Sequence, residues 1–99
     1  MKSGKQYRIF MAPSAHKRYK KFDSSLQQKV KQEVLKLAKD PHQYEELRGP
    51  LRGIKSYHFK YKKIQYRIAY RIREDQSRIE IVLVKSRESF YKVLRRLIK

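Results

Sequence analysis

Residues 54–73 form the part of the sequence whose side chains are best suited to chemistry on a polyanion. This segment contains seven Lys or Arg residues, four interleaved tyrosines and no acidic residue. Cations bind phosphates and aromatic rings stack on bases, and sites for single-stranded RNA combine the two. A solvated basic surface above a tyrosine-rich core is the alternative interpretation. The net charge of +18 favours a polyanionic partner, with nucleic acid as the first candidate.

Arg67 is the strongest single candidate in this segment. In IQYRIAYRI (64–72), alternate residues place isoleucines and tyrosines on one face of a strand. Arg67 and Arg71 point to the other face, on either side of Ala69. A guanidinium group can bind two phosphate oxygens at once, and a strand with one apolar face holds it rigidly. We therefore expect Arg67 to bind a phosphate.

Two residues are candidates for a general base, and the sequence does not choose between them. If a bound RNA is also cleaved, a reaction without a metal requires a deprotonated 2′-hydroxyl, a stabilised phosphorane and a protonated 5′-oxygen. Lys60 lies close to Lys62 and Lys63, whose like charges favour a neutral amine. His58 titrates near neutral pH without help, although it is also compatible with a surface residue that takes no part.

No metal or cofactor site is expected. The three histidines are scattered at positions 16, 42 and 58, and no paired carboxylates accompany them. The chain has no cysteine, which excludes disulfides and thiolate zinc sites. No serine–histidine–acid arrangement has a suitable spacing, and nothing indicates a small-molecule ligand. The expected chemistry is therefore metal-independent.

Length and composition predict a single folded domain over residues 1–99. Hydrophobic residues make up 39% of the chain, including eight Tyr and four Phe, which argues against disorder. Both halves are basic, so the charge does not belong to a separate tail. No apolar run is long enough to span a membrane, and the N-terminus lacks the apolar region of a secretory signal. A cytoplasmic protein with no membrane partner is expected.

The order of elements predicts an α+β fold, β-α-α-β-β-β-α. The expected strands and helices are a strand at 5–11, a helical hairpin between 13 and 40, strands at 54–61, 64–73 and 78–85, and a last helix from residue 90. A loop at 41–53 separates the two parts. We expect the helical hairpin and the last helix to cover one face of a mainly antiparallel four-stranded sheet, which leaves the basic face partly open.

Three segments in a fixed order carry a resemblance to a known family. They are LRG (47–49) after the helical hairpin, YRIAY (66–70) in a strand, and SRESFY (86–91) at the start of the last helix. In this order and spacing, the chain resembles toxins of the RelE/ParE superfamily from type II toxin–antitoxin systems over essentially its whole length. The resemblance implies the RelE-like microbial RNase fold.

The resemblance also implies roles for individual residues. Arg67 would hold the scissile phosphate, Arg87 would stabilise charge or assist the leaving group, and Tyr91 would contribute to proton transfer or stacking. Lys60 lies in the strand where RelE-like toxins carry lysines that orient or deprotonate the nucleophile. His58 matches a second such lysine approximately, and without a gap Lys85 rather than Arg87 aligns with the catalytic arginine.

Further basic residues are expected to bind RNA rather than to react. Arg71 and Arg73 are expected to contact ribosomal RNA or an acidic antitoxin. The full set of expected RNA-binding residues is His58, Lys62, Lys63, Arg71, Arg73 and Lys85.

The function implied by the resemblance is that of a ribosome-dependent endoribonuclease that cleaves mRNA and stops translation. Its partners would be the ribosome, mRNA and a small acidic antitoxin that wraps the toxin. The alternative within the same superfamily is a ParE-like inhibitor of DNA gyrase that has no nuclease activity. A nucleic-acid-binding regulator without toxicity is a third possibility.

Overall fold

The computed structural model describes residues 6–98, which contain five strands and three α-helices. In chain order they are β1 (Arg8–Met11), α1 (Pro13–Lys20), α2 (Ser24–Lys39), β2 (Glu45–Glu46), β3 (Lys55–Tyr61), β4 (Ile64–Arg73), β5 (Arg78–Ser86) and α3 (Phe90–Ile98). The strands form one sheet in the order β1-β5-β4-β3-β2. Only the β1–β5 pair is parallel. None of the helices in this described range is long and apolar enough to cross a membrane.

The expected α+β class is confirmed, but the expected count of four strands is wrong. The additional strand, β2, has two residues and pairs antiparallel with the start of β3. Two residues inside a loop produce no alternating pattern, so the sequence could not indicate this strand. Lys5, the first residue of the expected strand 5–11, lies outside the described residues, and β1 begins at Arg8.

The helical hairpin packs on one face of the sheet. The Asp23 carboxylate caps α2 by accepting a hydrogen bond from the Leu26 amide at 2.8 Å. The apolar stripe of α2, which includes Val30 and Leu37, is buried against side chains of β3 and β4. This packing holds the middle strands rigidly from one side.

The last helix packs on the opposite face, so the expectation that all helices cover one face is wrong. Phe90 and Leu94 of α3 are fully buried in a second cluster with Ala69 and Leu83. The physical reason is that β5 is apolar on both faces and therefore needs cover on both. Ala69 is the small residue between Arg67 and Arg71, and it lies in the cluster that α3 buries.

A β-bulge adapts the sheet to α3. The pairing of β4 with β5 shifts between Ala69 and Tyr70, because Ala69 pairs with Leu83 while Tyr70 pairs with Ile81. Val82 is therefore the extra residue, and both Val82 and Leu83 lie in the cluster below α3. The bulge increases the apolar surface that this face presents to the helix.

Lys62 and Lys63, which separate the expected strands 54–61 and 64–73, form the tight turn between β3 and β4. Both residues have positive φ, 51° and 67°, and the flanking Tyr61 and Ile64 are paired. Two positive φ angles are typical of a type I′ turn, which usually contains Asn and Gly. The lysines therefore occupy a conformation that is unfavourable for side chains with a Cβ atom.

Candidate functional site

Strand register places three of the expected site residues side by side. Arg67 of β4 pairs with His58 of β3 on one side and with Lys85 of β5 on the other. Paired residues point to the same face, with Cβ atoms about 5 Å apart. Since Ala69, two residues along β4, is buried below α3, this row of three lies on the α3 face. We call His58, Arg67 and Lys85 the Arg67 row.

The Tyr91 side chain, in the first turn of α3, lies over this row. The Arg67 guanidinium carbon lies 5.0 Å from the centre of the Tyr91 ring, a cation–π distance. The Tyr91 ring also meets the ring of Phe90 edge-on, with centroids 5.4 Å apart. Because Phe90 is fully buried, it anchors the helix start that carries Tyr91. The packing of α3 therefore determines where Tyr91 meets Arg67.

His58 is held towards its neutral form. Burial lowers its pKa from the ordinary value of 6.5, and the nearby charge of Arg67 lowers it further. The Glu45 carboxylate, 3.9 Å from the His58 Nε2 atom, acts in the opposite direction but does not reverse the shift. At neutral pH this imidazole can accept a proton, which a general base must do.

Lys60 and Arg87 lie one step further along the sheet, on either side of Gln65. Lys60 pairs with Gln65 across β3 and β4. On the other side, the Arg87 amide donates a 2.9 Å hydrogen bond to the Gln65 carbonyl. An open cleft of about 470 Å³ lies here, lined among others by Lys63, Gln65, Arg87 and Glu88. These residues adjoin the Arg67 row without belonging to it.

Lys85 and Arg87, which the sequence left as alternatives for the catalytic arginine position, lie in different places. Lys85 is the direct cross-strand neighbour of Arg67, and its ammonium group donates to the backbone carbonyl of Glu88. Arg87 follows the end of β5, is exposed and lines the cleft. Lys85 therefore belongs to the Arg67 row, whereas Arg87 lies next to it at the cleft.

Two of the expected RNA-binding residues lie at the far end of the sheet face. Arg71 and Arg73 approach the Glu80 carboxylate at 3.8 and 3.3 Å. Arg73 is six residues from Arg67 along β4, which corresponds to about 20 Å. At the opposite end, Lys62 and Lys63 occupy the β3–β4 turn, where the Lys62 ammonium lies 5.3 Å from the centre of the Tyr61 ring.

A family match accompanies this geometry. Residues 9–95 match the family described as ParE-like toxin of type II bacterial toxin–antitoxin system. The chain belongs to this toxin family. It is thus a member of the RelE/ParE superfamily that the sequence resembles, and the match spans most of the sheet, α1, α2 and the first part of α3.

Solved structures of RelE toxins share the fold of this toxin. A chain of the Mycobacterium tuberculosis RelBE2 toxin–antitoxin complex matches with a TM-score of 0.72 and 23% identity, covering 83% of this chain and 99% of that one. An Escherichia coli RelE mutant in the free state matches with a TM-score of 0.72 and 17% identity, over 94% of each chain. No curated protein sequence matches the toxin significantly.

Sequence reasoning missed two residues that the structure places at the site of this toxin. Gln65 shares the face of β4 that carries Arg67, and it lies between Lys60 and Arg87. Glu45 lies in the short strand β2, which brings it to His58. Strict alternation along β4 pointed to Gln65, but no sequence signal placed Glu45 opposite β3.

The acidic and imidazole groups form no metal-binding cluster in the described part of the chain. Within residues 6–98, no three His, Cys, Asp or Glu side chains are arranged so that they could hold a metal ion. The polar groups that do gather are the imidazole, guanidinium and amine of the Arg67 row, with the Tyr91 phenol above them.

Proposed function

We propose that this toxin arrests translation in the cytoplasm as a ribosome-dependent endoribonuclease that cleaves mRNA. The observation that carries the proposal is the register of the Arg67 row below Tyr91. A phosphate-binding guanidinium, a neutral imidazole and an amine are adjacent on one rigid face. Attack of a 2′-hydroxyl on the adjacent phosphate, with departure of the 5′-oxygen, needs a base, a group that stabilises the phosphorane and a cation near the leaving oxygen.

In the proposed reaction, the Arg67 guanidinium binds two non-bridging oxygens of the scissile phosphate and stabilises the phosphorane. His58 is the proposed general base, because its pKa is lowered and it lies beside Arg67; Lys60, one step away, is the second candidate. The 2′-oxygen then forms a bond to phosphorus as the bond to the 5′-oxygen breaks. The products are a 2′,3′-cyclic phosphate and a 5′-hydroxyl.

The residues proposed to stabilise the leaving group lie on the β5 side of Arg67, opposite His58. The amine of Lys85 is the direct neighbour, and the exposed guanidinium of Arg87 can reach a phosphate from the adjoining cleft. We propose that one of these two cations stabilises or protonates the departing 5′-oxygen. No step of this scheme calls for a metal ion or other cofactor.

A second candidate function is inhibition of DNA gyrase without nuclease activity. The family match is to ParE-like toxins, which supports this alternative. The juxtaposition of His58, Arg67 and Lys85 below Tyr91 supports the nuclease instead, because a binding inhibitor has no need of a neutral imidazole beside a phosphate-binding arginine.

We also propose that a cognate acidic antitoxin controls this toxin. The Mycobacterium tuberculosis match comes from a toxin–antitoxin complex, and an Escherichia coli match comes from the intact RelBE complex, with a TM-score of 0.63, 20% identity and coverage of 79% of this chain and 93% of that one. A net charge of +18 makes an acidic partner electrostatically favourable.

The test is cleavage of a defined message on programmed ribosomes. The wild-type toxin is expected to cut the message in the A site, and Arg67→Ala is expected to lower the rate by at least about 100-fold. Arg18→Ala removes the same charge from α1, on the opposite side of the sheet, and serves as the matched control.

An intact message with wild-type toxin would reject the nuclease proposal. In that case, inhibition of purified gyrase by both the wild type and Arg67→Ala would establish the binding-inhibitor alternative. Thermal unfolding of each variant shows whether any loss of activity comes from a loss of fold.

A further inference from the structure

A second row of basic side chains crosses the sheet at the end far from the Arg67 row. Arg8 of β1, Arg78 of β5 and Arg73 of β4 are neighbours in register. The next row contains Phe10, Glu80 and Arg71, so all six residues lie on the α3 face. We call Arg8, Arg78 and Arg73 the Arg73 row.

The Arg73 row is electrostatically unfavourable in the isolated chain. Like charges directly opposite each other destabilise a sheet. Glu80 is the one carboxylate between these strands, and it is already shared by Arg71 and Arg73. In the described part of the chain, no carboxylate lies within ion-pair distance of Arg8 or Arg78, and the buried Arg78 Nε atom has no hydrogen-bond partner. A bound polyanion would relieve this repulsion.

Phe10 gives the Arg73 row an aromatic surface. Its side chain is 40% exposed, although it lies in a strand, and the Arg78 guanidinium carbon lies 4.9 Å from the centre of its ring. An exposed ring next to guanidinium groups is the combination on which unstacked RNA bases stack while their phosphates are bound. A purely acidic peptide would use the charges but would leave the exposed part of this ring uncovered.

We infer that the Arg73 row and Phe10 form a second RNA-binding site, which binds a single-stranded or looped RNA segment by its phosphates and one base. The inference rests on the proposed function only in taking RNA as the polyanion, and it does not require that the toxin cleaves RNA. On the ribosome, the segment bound here is ribosomal RNA.

The position of α3 indicates that the two rows bind different RNA segments. The helix packs over Ala69 and Leu83, in the middle of the face between the rows. Arg67 and Arg73 are about 20 Å apart along β4. An RNA strand bound to one row therefore cannot continue across the sheet surface to the other row, because α3 covers the direct path.

The test measures binding of a fluorescent RNA stem–loop with an unpaired loop to the full-length Arg67→Ala toxin, so that cleavage plays no part. Adding R8A/R78A is expected to weaken binding about tenfold at physiological salt and to reduce the slope of log affinity against log salt by about one to two. The control K31A/K39A removes two exposed charges from α2 and should change the affinity less than twofold.

Further variants separate the site from general effects of charge and stability. R8K/R78K keeps the charge but loses the bidentate guanidinium, and should recover the salt slope but not the full affinity. F10L should weaken binding of the stem–loop about threefold and leave binding of a blunt duplex unchanged. R8A/R78A should unfold at the wild-type temperature or above it, because repulsion is removed.

An equal loss of RNA affinity in R8A/R78A and K31A/K39A would overturn the inference, since it would reduce the effect to net charge. So would unchanged RNA binding accompanied by weaker binding of an acidic antitoxin peptide, which would assign the surface to a protein. A wild-type toxin that fails to cut messages would reject the nuclease proposal but leave this binding result intact.

Discussion

The two basic rows lie on the same face of the same sheet, yet they differ in chemical character. The Arg67 row joins an imidazole, a guanidinium and an amine below a phenol. The Arg73 row joins three guanidinium groups and contains no imidazole. In the proposed scheme, positive charge is sufficient for RNA binding, whereas cleavage also needs a group that can exchange a proton near neutral pH.

The helix α3 is responsible for the separation of the two rows. It buries Phe90 and Leu94 against Ala69 and Leu83 and presents Tyr91 to Arg67. The Arg67 row is covered by the Tyr91 ring. In the Arg73 row, Arg8 and Arg73 are exposed to solvent. The same strand β4 supplies an arginine to both.

Replacing His58 should have the largest effect on the difference between the two rows. We expect His58→Gln to lower the cleavage rate at least about 100-fold, because the imidazole beside Arg67, whose lowered pKa favours its neutral form, is the proposed acceptor of the 2′-proton. Its affinity for RNA should stay close to that of the wild type. A rate within a few-fold of wild type would transfer the role of base to Lys60.

The pH profile gives a second measurement on His58. Its pKa lies below the ordinary 6.5, so the neutral form persists at pH 7 and activity should be flat there and fall only below about pH 6.5. Glu45 raises this pKa, so Glu45→Gln should move the acid limb to still lower pH. An acid limb that Glu45→Gln leaves in place would indicate that another group titrates.

Variants of Tyr91 test whether cleavage depends on its ring or on its hydroxyl. We expect Tyr91→Ala to reduce cleavage about tenfold, because Arg67 loses the ring that lies 5.0 Å from its guanidinium carbon. Tyr91→Phe keeps that ring and should stay within about twofold of wild type. If Phe were as damaging as Ala, the hydroxyl would take part in proton transfer.

Tyr57 is a control from the other face of β3. It is the neighbour of His58, but its hydroxyl donates to the Glu33 carboxylate of α2 at 2.5 Å. Tyr57→Phe should lower the free energy of unfolding by about 1–2 kcal/mol and leave the cleavage rate of the folded protein unchanged. Urea unfolding and single-turnover cleavage measure the two quantities.

The stability effect of Tyr57→Phe should depend on pH. Burial would raise the pKa of Glu33, but hydrogen bonds from Lys29 and Tyr57 and the charges of Lys29 and Lys36 lower it overall. A lowered carboxyl pKa contributes stability above the unfolded value near 4.5, and this contribution is lost as the pH falls through the folded value. The difference between wild type and Tyr57→Phe should therefore shrink in acid.

The β3–β4 turn should show the smallest effect. Replacing Lys62 by Asn and Lys63 by Gly suits the two positive φ angles and should stabilise the fold by about 1 kcal/mol. The same change should weaken RNA binding a few-fold and leave the Arg67 row intact. Unchanged RNA affinity would exclude the turn lysines from the binding surface.

Several features of the molecule followed from local sequence. Alternation along residues 64–73 predicted β4 and the face that carries Arg67, and the stripe from Leu26 to Leu37 predicted α2. The ordered segments around 47–49, 66–70 and 86–91 indicated the toxin family that the match to residues 9–95 confirms. Such signals are local because side-chain period and turn chemistry depend on neighbouring residues.

The contacts between residues of different strands and helices depend on the tertiary structure. Register and the bulge at Val82 determine that Lys85 lies beside Arg67 and that Arg8, Arg78 and Arg73 form a second row. The choice of face for α3 determines that Tyr91 covers one row and not the other. These pairings join residues far apart in the chain, and they depend on how both faces of β5 are buried, which no local pattern records.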